Sequence, residues 1–469
     1  MCFNIGMHHQ HPQSKRRGAR AAKTADRLHL FCALFTTRFD RNQLNQIWFT
    51  HQRRRRRPVL PFADLLLALI YHVLIGAGTL QDHVAELTGV QVSGSALTQR
   101  RQRLNWKIFQ QILDLVLVRR ADAQRHPQAF YKGWRLMGVD GTRLALTNTA
   151  PILAGFNKAV SRRMKAAFAQ VNVGVLVELA LRNPVAVEIG RDGESELALG
   201  GRLLARLTRG DLWLADRLYG VQKVVAQWLA LARQRGAQFL VRTRANLKAR
   251  LLQTLRDGSA LVEVVARDEA GRKQKLTVRE INGWVLGRNG QRTRVRLWTS
   301  LLDAQRYPAA ELLALYAQRW EVEITIKELK VELRGERRDL LLAQTPETAA
   351  QEIAALILAL AVLVEVRCEA ARRGEVTVLR VSFRQTLRLV RNLWTLLEIG
   401  EGIHTARQVR ALVARTVERI AAAVTSPRRR RSCPRAVRQP VGSWPRLLQR
   451  REWRGPIGYE IIRFKHGKS

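Results

Sequence analysis

The sequence predicts an α/β protein in which a mixed β-sheet is flanked by helices. Two observations predict this class: the order of apolar segments between residues 134 and 243, and acidic residues at the polar ends of two predicted strands. The charge is a third observation. There are 81 lysines and arginines against 38 aspartates and glutamates, a net charge of +43, which favours a polyanionic partner such as nucleic acid. An arginine-rich coding background is the alternative source of that charge.

The catalytic core is predicted from seven consecutive segments. They are the strands Arg135–Leu146, Val171–Ala180 and Pro184–Gly190, the helix Glu194–Leu207, the strand Leu212–Ala215, the helix Val224–Arg235 and the strand Phe239–Arg242. The turn at Arg182-Asn183-Pro184 makes the second and third strands a hairpin. Three strands, a helix, a strand, a helix and a strand follow the order of an RNase H-like fold.

Helical and β-rich segments surround this core. Gly-containing turns at 271, 283 and 290 divide a β-rich insertion into the strands Leu261–Ala266, Lys275–Ile281, Trp284–Gly287 and Arg294–Thr299. The predicted organisation is a basic disordered tail (1–26), a helical N-terminal DNA-binding domain (27–125), the first part of the core (130–243), the insertion (244–302), the second part of the core (303–345), a helical C-terminal region (346–426) and a basic tail (427–469).

A helix-turn-helix is one interpretation of the N-terminal helices. Thr79–Leu87 and Ser95–Leu104 flank a turn at Gly89, and Ser95 is the expected cap of the second helix. Arg100 and Arg101 on that helix are candidate DNA contacts. A plain helical hairpin explains the same pattern equally well. The run Arg53–Arg57 before it is a phosphate-contacting arm or a solvated linker.

Two carboxylates are the first candidates for chemistry. Asp140 follows the apolar run 136–139, and Asp216 follows the apolar run 212–215. A carboxylate at the end of a buried strand is costly unless it is paired or binds a cation, and hard divalent cations prefer oxygen ligands. The alternative is that each aspartate only caps the turn after it.

A long helix from about Pro308 to Leu333 is expected to supply a third acid. At about 100° per residue, Tyr316, Arg319, Glu323 and Lys330 fall on one stripe beside an apolar stripe. On spacing alone, an ordinary amphipathic helix with intrahelical ion pairs explains this pattern at least as well.

These residues resemble the Tyr-Arg-Glu-Lys signature of the insertion sequence four family of DDE transposases. The spacing of Tyr316, Arg319, Glu323 and Lys330 matches that signature. Further similar segments are Val139-Asp140-Gly141-Thr142, Glu196, Gly210-Asp211-Leu212, Ala215-Asp216-Arg217, Tyr219-Gly220, Val381-Ser382-Phe383 and Pro434-Arg435-Ala436-Val437. The resemblance extends from about residue 30 to residue 438.

The resemblance implies a DNA transposase that cuts and pastes an insertion sequence. Asp140, Asp216 and Glu323 would bind two Mg²⁺ ions, or Mn²⁺, about 3.5–4 Å apart. Strand cleavage would be followed by attack of a 3′-hydroxyl on target DNA, with a hairpin intermediate. The implied partners are the terminal inverted repeats and target DNA, bound by a homodimer in a paired-end complex.

The resemblance also implies DNA contacts near the cleavage point. Arg319 and Lys330 would hold phosphates, and Tyr316 would hold the terminal backbone. A hairpin requires a flipped base and an aromatic side chain on which that base stacks. Trp298 is the candidate for this stacking, and a core tryptophan is the more economical interpretation of the same residue.

Two other functions stay open at this point. One is an RNase H-like nuclease that cuts without joining, and the other is a decayed copy that only binds the repeats. The scattered Cys2, Cys32, Cys368 and Cys433 fit a reducing compartment. The run Ile353–Val364 is shorter than the roughly 20 residues that span a bilayer, so we expect no membrane and a cytoplasmic, nucleoid-associated protein.

The DNA beside the gene tests the transposase interpretation directly. We expect short inverted repeats on both sides of the coding sequence, with a short direct duplication of target DNA outside them. Sequencing the flanks of several genomic copies checks this. Copies without paired repeats would count against a mobile element.

Overall fold

The structure is a computed structural model. It describes residues 39–51, 58–158, 166–191, 193–244, 246–267, 272–286, 292–334, 340–401, 403–426 and 458–462. The predicted tail 1–26, the arginine run 53–57 and most of the tail 427–469 lie outside these residues.

One large mixed sheet organises the described part of the chain. Its strands are β1 (Phe130–Tyr131), β2 (Trp134–Leu146), β3 (Ala169–Glu178), β4 (Asn183–Ile189), β5 (Asp211–Ala215), β6 (Gln238–Arg242), β7 (Arg250–Thr254), β8 (Ala260–Arg267), β9 (Lys273–Leu286), β10 (Arg292–Thr299) and β11 (Gly458–Ile461). The order is β4-β3-β2-β5-β6-β10-β9-β8-β7, with β1 on β2 and β11 on β9. β2 is antiparallel to β3 and parallel to β5, which is parallel to β6.

Both faces of the central strands are buried. Leu136, Leu212 and Leu214 join one hydrophobic cluster, while Met137 and Trp213 join another. This alternation is the period of two that a strand imposes on its side chains. The expected mixed sheet flanked by helices is therefore what the chain forms.

Helices cover the two faces and form the N-terminal and C-terminal regions. They are α1 (Arg41–Thr50), α2 (Phe62–Ile75), α3 (Leu80–Thr88), α4 (Gly94–Gln102), α5 (Trp106–Val116), α6 (Ala150–Gly155), α7 (Glu196–Leu204), α8 (Gln222–Arg235), α9 (Ala309–Tyr316), α10 (Trp320–Lys327), α11 (Pro346–Arg373), α12 (Phe383–Ile399) and α13 (Ala406–Ala422). The N-terminal helices fit the expected helical region. The cap of α4 is Ser93, whose side chain accepts from the Ala96 amide at 3.3 Å, and not the expected Ser95.

Helix α11 is the central helix of the C-terminal region. It packs against α2, α5 and α13. Within the described residues it is the single helix long and apolar enough to cross a membrane, and 83% of its apolar window is buried inside the protein. A bent pair, α2 with α3, passes the same length and composition test at an angle of 117°. The burial of α11 explains its apolar sequence as that of a core helix.

The β-rich insertion continues the central sheet. β10 pairs antiparallel with β6, and β9 pairs along its length with β8 and β10. The expected turn at Gly283 is wrong, because β9 runs through it as one strand. A Cβ at Gly283 would lie 2.4 Å from Leu313 and 2.9 Å from the Glu460 carbonyl oxygen. Glycine is therefore needed there for close approach rather than for a turn.

The long helix predicted for residues 308–333 changes pitch twice. A 3₁₀ turn at Ala317–Arg319 separates α9 from α10, and a π-helical segment follows at Glu328–Leu333. The predicted long helix is therefore present, but its pitch is not uniform, so a constant 100° rotation per residue does not describe the face that carries these residues. Short π-helical segments often occur at functional sites.

A buried ion network fixes the end of this helix to the core. Glu328 pairs with Arg182 at 2.5 Å and with Arg367 at 3.5 Å. Arg182 also pairs with Glu321 at 2.8 Å, and Arg367 donates to the carbonyl oxygens of Val378 and Val381. Arg367 is fully buried, so its charge depends on these partners.

Replacing Arg367 tests that dependence. Arg367→Ala leaves Glu328 buried with one partner fewer, so we expect the free energy of unfolding to fall by about 3–5 kcal/mol. Arg372→Ala, on the exposed side of the same helix, is the matched control and should leave stability unchanged within error. Chemical denaturation of the full chain measures both. Equal stability of the two variants would contradict the network's role.

Candidate active site

The parallel pairing of β2 with β5 determines where the two strand-end acids lie. Gly138 is the partner of Leu214 in the last registered pair. Continuing this register by two residues brings Asp216 beside Asp140, on strands spaced about 4.8 Å apart. Both acids alternate onto the face of Leu136 and Leu214. The structure thus brings Asp140, in the middle of β2, beside Asp216, which directly follows β5.

The segment carrying Glu323 packs directly on these strands. A Cβ at Gly138 would lie 3.3 Å from Cβ of Val322, the residue before Glu323. The Tyr316 hydroxyl donates to the carbonyl oxygen of Ala215 at 3.1 Å, immediately before Asp216. These contacts hold the helical turn that carries Glu323 against β2 and the end of β5.

Arg319 connects two of the three acids. Its guanidinium lies 3.8 Å from Asp140 Oδ2 and donates to Glu323 Oε1 at 2.5 Å. Lys330 donates to the carbonyl oxygen of Arg143 at 2.8 Å. All four residues of the Tyr-Arg-Glu-Lys pattern therefore converge on the strand ends. In this state Tyr316, Arg319 and Lys330 make intramolecular contacts, and their DNA contacts stay predictions.

Electrostatics distinguish Asp140 from an ordinary surface acid. Burial raises the pKa of Asp140 to about 7, against the opposing effects of the Gly141 amide and Arg319, and the charges of Glu196 and Asp216 raise it further. Burial likewise raises the pKa of Tyr316 to about 12. Because burial makes ionisation of Asp140 costly, a cation bound beside it would stabilise its charged form.

Glu196 is a site residue that sequence reasoning assigned no role. It is the first residue of α7, and a Cβ at Gly141 would lie only 2.9 Å from its Oε2. Tyr219 donates to its Oε1 through a long 3.5 Å hydrogen bond. Burial raises the pKa of Glu196, and Asp216 raises it further. The available sequence signal was its place within the segments quoted for the family resemblance.

Other glutamates on the helix are held away from this cluster. Glu321 pairs with Arg182, and Glu328 pairs with Arg182 and Arg367 in the buried network. Glu323 faces Arg319 and the strand ends instead. This difference in partners supports the choice of Glu323, which helical spacing alone did not distinguish from its neighbours.

The donor set fits a divalent cation in kind. Asp140, Asp216, Glu323 and Glu196 offer carboxylate oxygens, and burial raises the pKa of Asp140 to about 7, so its charged form is costly without a cation. Within the described residues, no three His, Cys, Asp or Glu side chains are yet arranged to hold a metal ion. Arg319 explains why Glu323 is not arranged to hold a metal ion, because its guanidinium binds the Glu323 carboxylate and contacts Asp140.

The remaining predicted DNA contacts lie away from this cluster. Trp298 is fully buried and its Nε1 donates to Glu280 at 2.9 Å, so the core interpretation describes its present position. Arg101 bonds Gln351 at 3.0 Å and pairs with Glu352 at 3.6 Å. Arg100 is half-buried, with Asp64 as a nearby charge. Base stacking or DNA contact by these three residues stays a prediction that their packing does not support.

Known proteins resemble this chain in sequence and, more distantly, in fold. Residues 137–362 match the family model described as "Transposase DDE domain". The chain is 25% identical over 268 residues to the transposase InsG for insertion sequence element IS4 of Escherichia coli (strain K12), across 57% of this chain. The chain matches 60% of that relative's length. The cryo-EM structure of a piggyBac transposase synaptic complex with hairpin DNA aligns with 83% of this chain and 85% of that chain, at 10% identity and a TM-score of 0.39.

The raised pKa of Asp140 predicts a pH-dependent effect of its removal. A carboxyl whose folded pKa exceeds its unfolded value stabilises the fold at low pH, and this contribution is lost as pH rises from about 4 to about 7. Asp140→Asn mimics the neutral acid. In EDTA we expect it to be more stable than wild type at pH 8 by on the order of 2–4 kcal/mol, with the difference shrinking toward pH 5.

Chemical denaturation across this pH range makes the measurement. The Asp114→Asn variant, which changes an exposed acid on α5, is the control for general charge effects. A pH-independent difference for Asp140→Asn would contradict an uncompensated carboxylate at this position.

The turn after Asp216 predicts a second mutational effect. A Cβ at Gly220 would lie 1.9 Å from the carbonyl oxygen of Arg242, which is backbone and cannot rotate away. Gly220→Ala should therefore displace the turn and cost about 1–3 kcal/mol of stability. Gly201→Ala in α7 meets no atom within 4 Å and should be neutral or stabilising by up to about 1 kcal/mol.

Thermal unfolding of both alanine variants checks this pair. A neutral Gly220→Ala would show that the turn after Asp216 has room that the structure does not give it.

Proposed function

We propose that this chain is a DDE transposase of the IS4 family, an enzyme that catalyses cut-and-paste transposition of an insertion sequence. The observation that carries the proposal is the convergence of Asp140, Asp216 and the Glu323 segment at the point where β5 ends beside the middle of β2. In metal-dependent phosphoryl transfer, clustered carboxylates hold the metal ions, and the protein need not supply a covalent nucleophile.

We infer that the core is RNase H-like. Three strands joined as antiparallel neighbours are followed by two parallel ones in the order β4-β3-β2-β5-β6, with α7 and α8 as the connecting helices. Asp140 lies on β2 and Asp216 directly follows β5, which are the first and fourth of these strands in chain order. That arrangement supports the fold class expected from the order of segments.

Asp140, Asp216 and Glu323 would hold divalent ions, with Mg²⁺ as the physiological choice and Mn²⁺ as a substitute. Bound metal would activate the attacking oxygen and stabilise the departing 3′-oxygen at phosphorus. The protein's own part is to hold these carboxylates on three elements that cannot separate without breaking the Tyr316 and Val322 contacts.

Arg319 has a separate role in this proposal. It neutralises Asp140 and Glu323 while DNA is absent. A scissile phosphate is a competing anion for the guanidinium, so DNA entry would draw Arg319 from the carboxylates and free them for cations. Lys330 and Tyr316 would position the DNA backbone beside it.

The proposed partners are DNA with terminal inverted repeats and target DNA, bound by a homodimer across paired ends. A net charge of +43 supports binding to such a polyanion. Strand transfer through a hairpin intermediate, and action at the nucleoid in the cytoplasm, belong to the same proposal. A nuclease that cuts without joining is the competing candidate for the same acids.

Cleavage of DNA carrying the terminal repeats tests the proposed chemistry. Asp140→Asn, Asp216→Asn and Glu323→Gln should each abolish nicking in Mg²⁺ and in Mn²⁺, because each removes an anionic oxygen from the centre. Glu311→Gln, an exposed acid on the preceding helix α9, should cut like wild type. Gel analysis of nicked, hairpin and joined products separates the steps.

Two results would change the proposal. Unchanged nicking by Asp140→Asn or Glu323→Gln would show that the chemistry lies elsewhere. Cleavage by wild type with no joining to a target would favour the simple nuclease, and binding without cleavage in either metal would favour a decayed copy.

A further inference from the structure

Glu196 is a fourth carboxylate near Asp140 and Asp216, and it approaches them from the opposite face of the sheet. Gly141 alternates to the face opposite Asp140, and α7, which begins at Glu196, packs there on β2 and β3. Glu323 approaches Asp140 from the other face through α10. The two aspartates are therefore flanked by a glutamate on each side.

Two glycines allow this approach. A Cβ at Gly141 would lie 2.4 Å from Cγ of Glu196. One turn along α7, a Cβ at Gly200 would lie 2.4 Å from Cε1 of Tyr219. The Tyr219 ring therefore packs closely against α7, and its hydroxyl reaches Glu196 Oε1 at 3.5 Å.

The amide of Gly141 ties Glu196 to Asp140. This N–H donates to Asp140 Oδ1 at 2.9 Å, and the same amide lowers the pKa of Glu196. Both carboxylates therefore lie near this amide. The charge of Asp216 acts on Glu196 as well, so Glu196 belongs to the cluster of Asp140 and Asp216.

The cations near the centre are distributed unevenly. Arg319 contacts Asp140 and Glu323 on the α10 side. On the α7 side the charge of Arg143 acts on Glu196, while Arg143 Nε is engaged by Asn172 Oδ1 at 3.2 Å. The helix N-terminus is capped by Ser195, whose side chain accepts from the Ala198 amide at 3.2 Å. Binding a cation between the two aspartates would require Glu196 to give up its long hydrogen bond from Tyr219.

We propose that Glu196 is a fourth metal-facing carboxylate, which with Asp140 and Asp216 binds a divalent cation before DNA enters. Glu323 joins when a phosphate has drawn Arg319 away. This inference rests on the proposed function and assigns a residue that the three-acid arrangement does not contain. It predicts that the DNA-free protein binds one cation and that Glu196 sets its affinity.

Manganese-dependent thermal stability of the full chain, without DNA, is the test. The probe is Mn²⁺ alone, titrated while the Tm is recorded, with EDTA as the reference for each variant. A cation that binds only the folded state raises the Tm by an amount that grows with the logarithm of its concentration relative to Kd. Glu196→Gln should need about tenfold or more Mn²⁺ for the same rise, and Asp216→Asn should lose the rise.

Two further variants separate metal binding from folding. Gly141→Ala keeps every carboxylate but displaces Glu196, so it should weaken Mn²⁺ binding in the same direction. Glu194→Gln removes an acid two residues away that pairs with Arg202, and should titrate like wild type. The Tm of Glu196→Gln in EDTA reports whether that variant is folded.

The outcomes distinguish this inference from the proposed function. If Glu196→Gln titrates like wild type while Asp216→Asn does not respond, the assignment of Glu196 is overturned and the three-acid centre stands. A wild type that cleaves end DNA in Mn²⁺ but shows no saturable Tm rise without DNA also overturns it. A wild type that does neither contradicts the proposed function itself.

Discussion

The close packing of Val322 on Gly138 is the contact on which the candidate site depends. It allows the helix that carries Glu323 to approach a strand whose next polar residue is Asp140. A side chain at Gly138 would also meet Leu179 at 2.4 Å, so the position has no room for one. The parallel register of β2 and β5 then adds Asp216, and the Tyr316 bond to Ala215 holds the same helix to the second strand.

This contact explains why the cluster is both buried and charged. Apolar packing on both faces of the sheet fixes β2, the end of β5 and α10. The positions of the carboxylates that they carry are fixed with them. Burial is the main reason that the pKa of Asp140 rises to about 7; Arg319 opposes the rise, and the charges of Glu196 and Asp216 add to it. Perturbed carboxyl groups of this kind cluster at functional sites, in keeping with the proposed metal-dependent chemistry. The buried network of Arg182, Glu328 and Arg367 anchors the far end of the same helix.

The strand order and the two aspartates were predictable from local pattern. An apolar run that ends in an acid indicates Asp140 and Asp216 as candidates without knowledge of distant contacts. The burial and periodicity of a strand can be inferred from residues adjacent in sequence. The pitch changes of the Glu323 helix were not predictable in this way. They depend on long-range contacts such as Arg182 with Glu328, which lie far apart in the chain. Gly283 was taken for a turn because its real constraint, the approach of Leu313 and Glu460, is also distant.

Glu196 and Trp298 show the same limit in opposite directions. The role of Glu196 depends on its meeting with Gly141 and Tyr219, which no spacing rule connects. Sequence left Trp298 as a stacking candidate or, more economically, a core residue, and Glu280 on β9 accepts its indole N–H inside the sheet, as the core interpretation requires. Arg101 similarly looks like a DNA contact until Gln351 and Glu352 of α11 are placed beside it.

Anomalous diffraction from crystals soaked in Mn²⁺ tests the central claim most directly. We expect a manganese peak between the carboxylates of Asp140 and Asp216, where β5 ends beside β2. Manganese bound elsewhere, with Asp140 still beside Arg319 and no peak at the strand ends, would contradict a metal-dependent centre built from these acids.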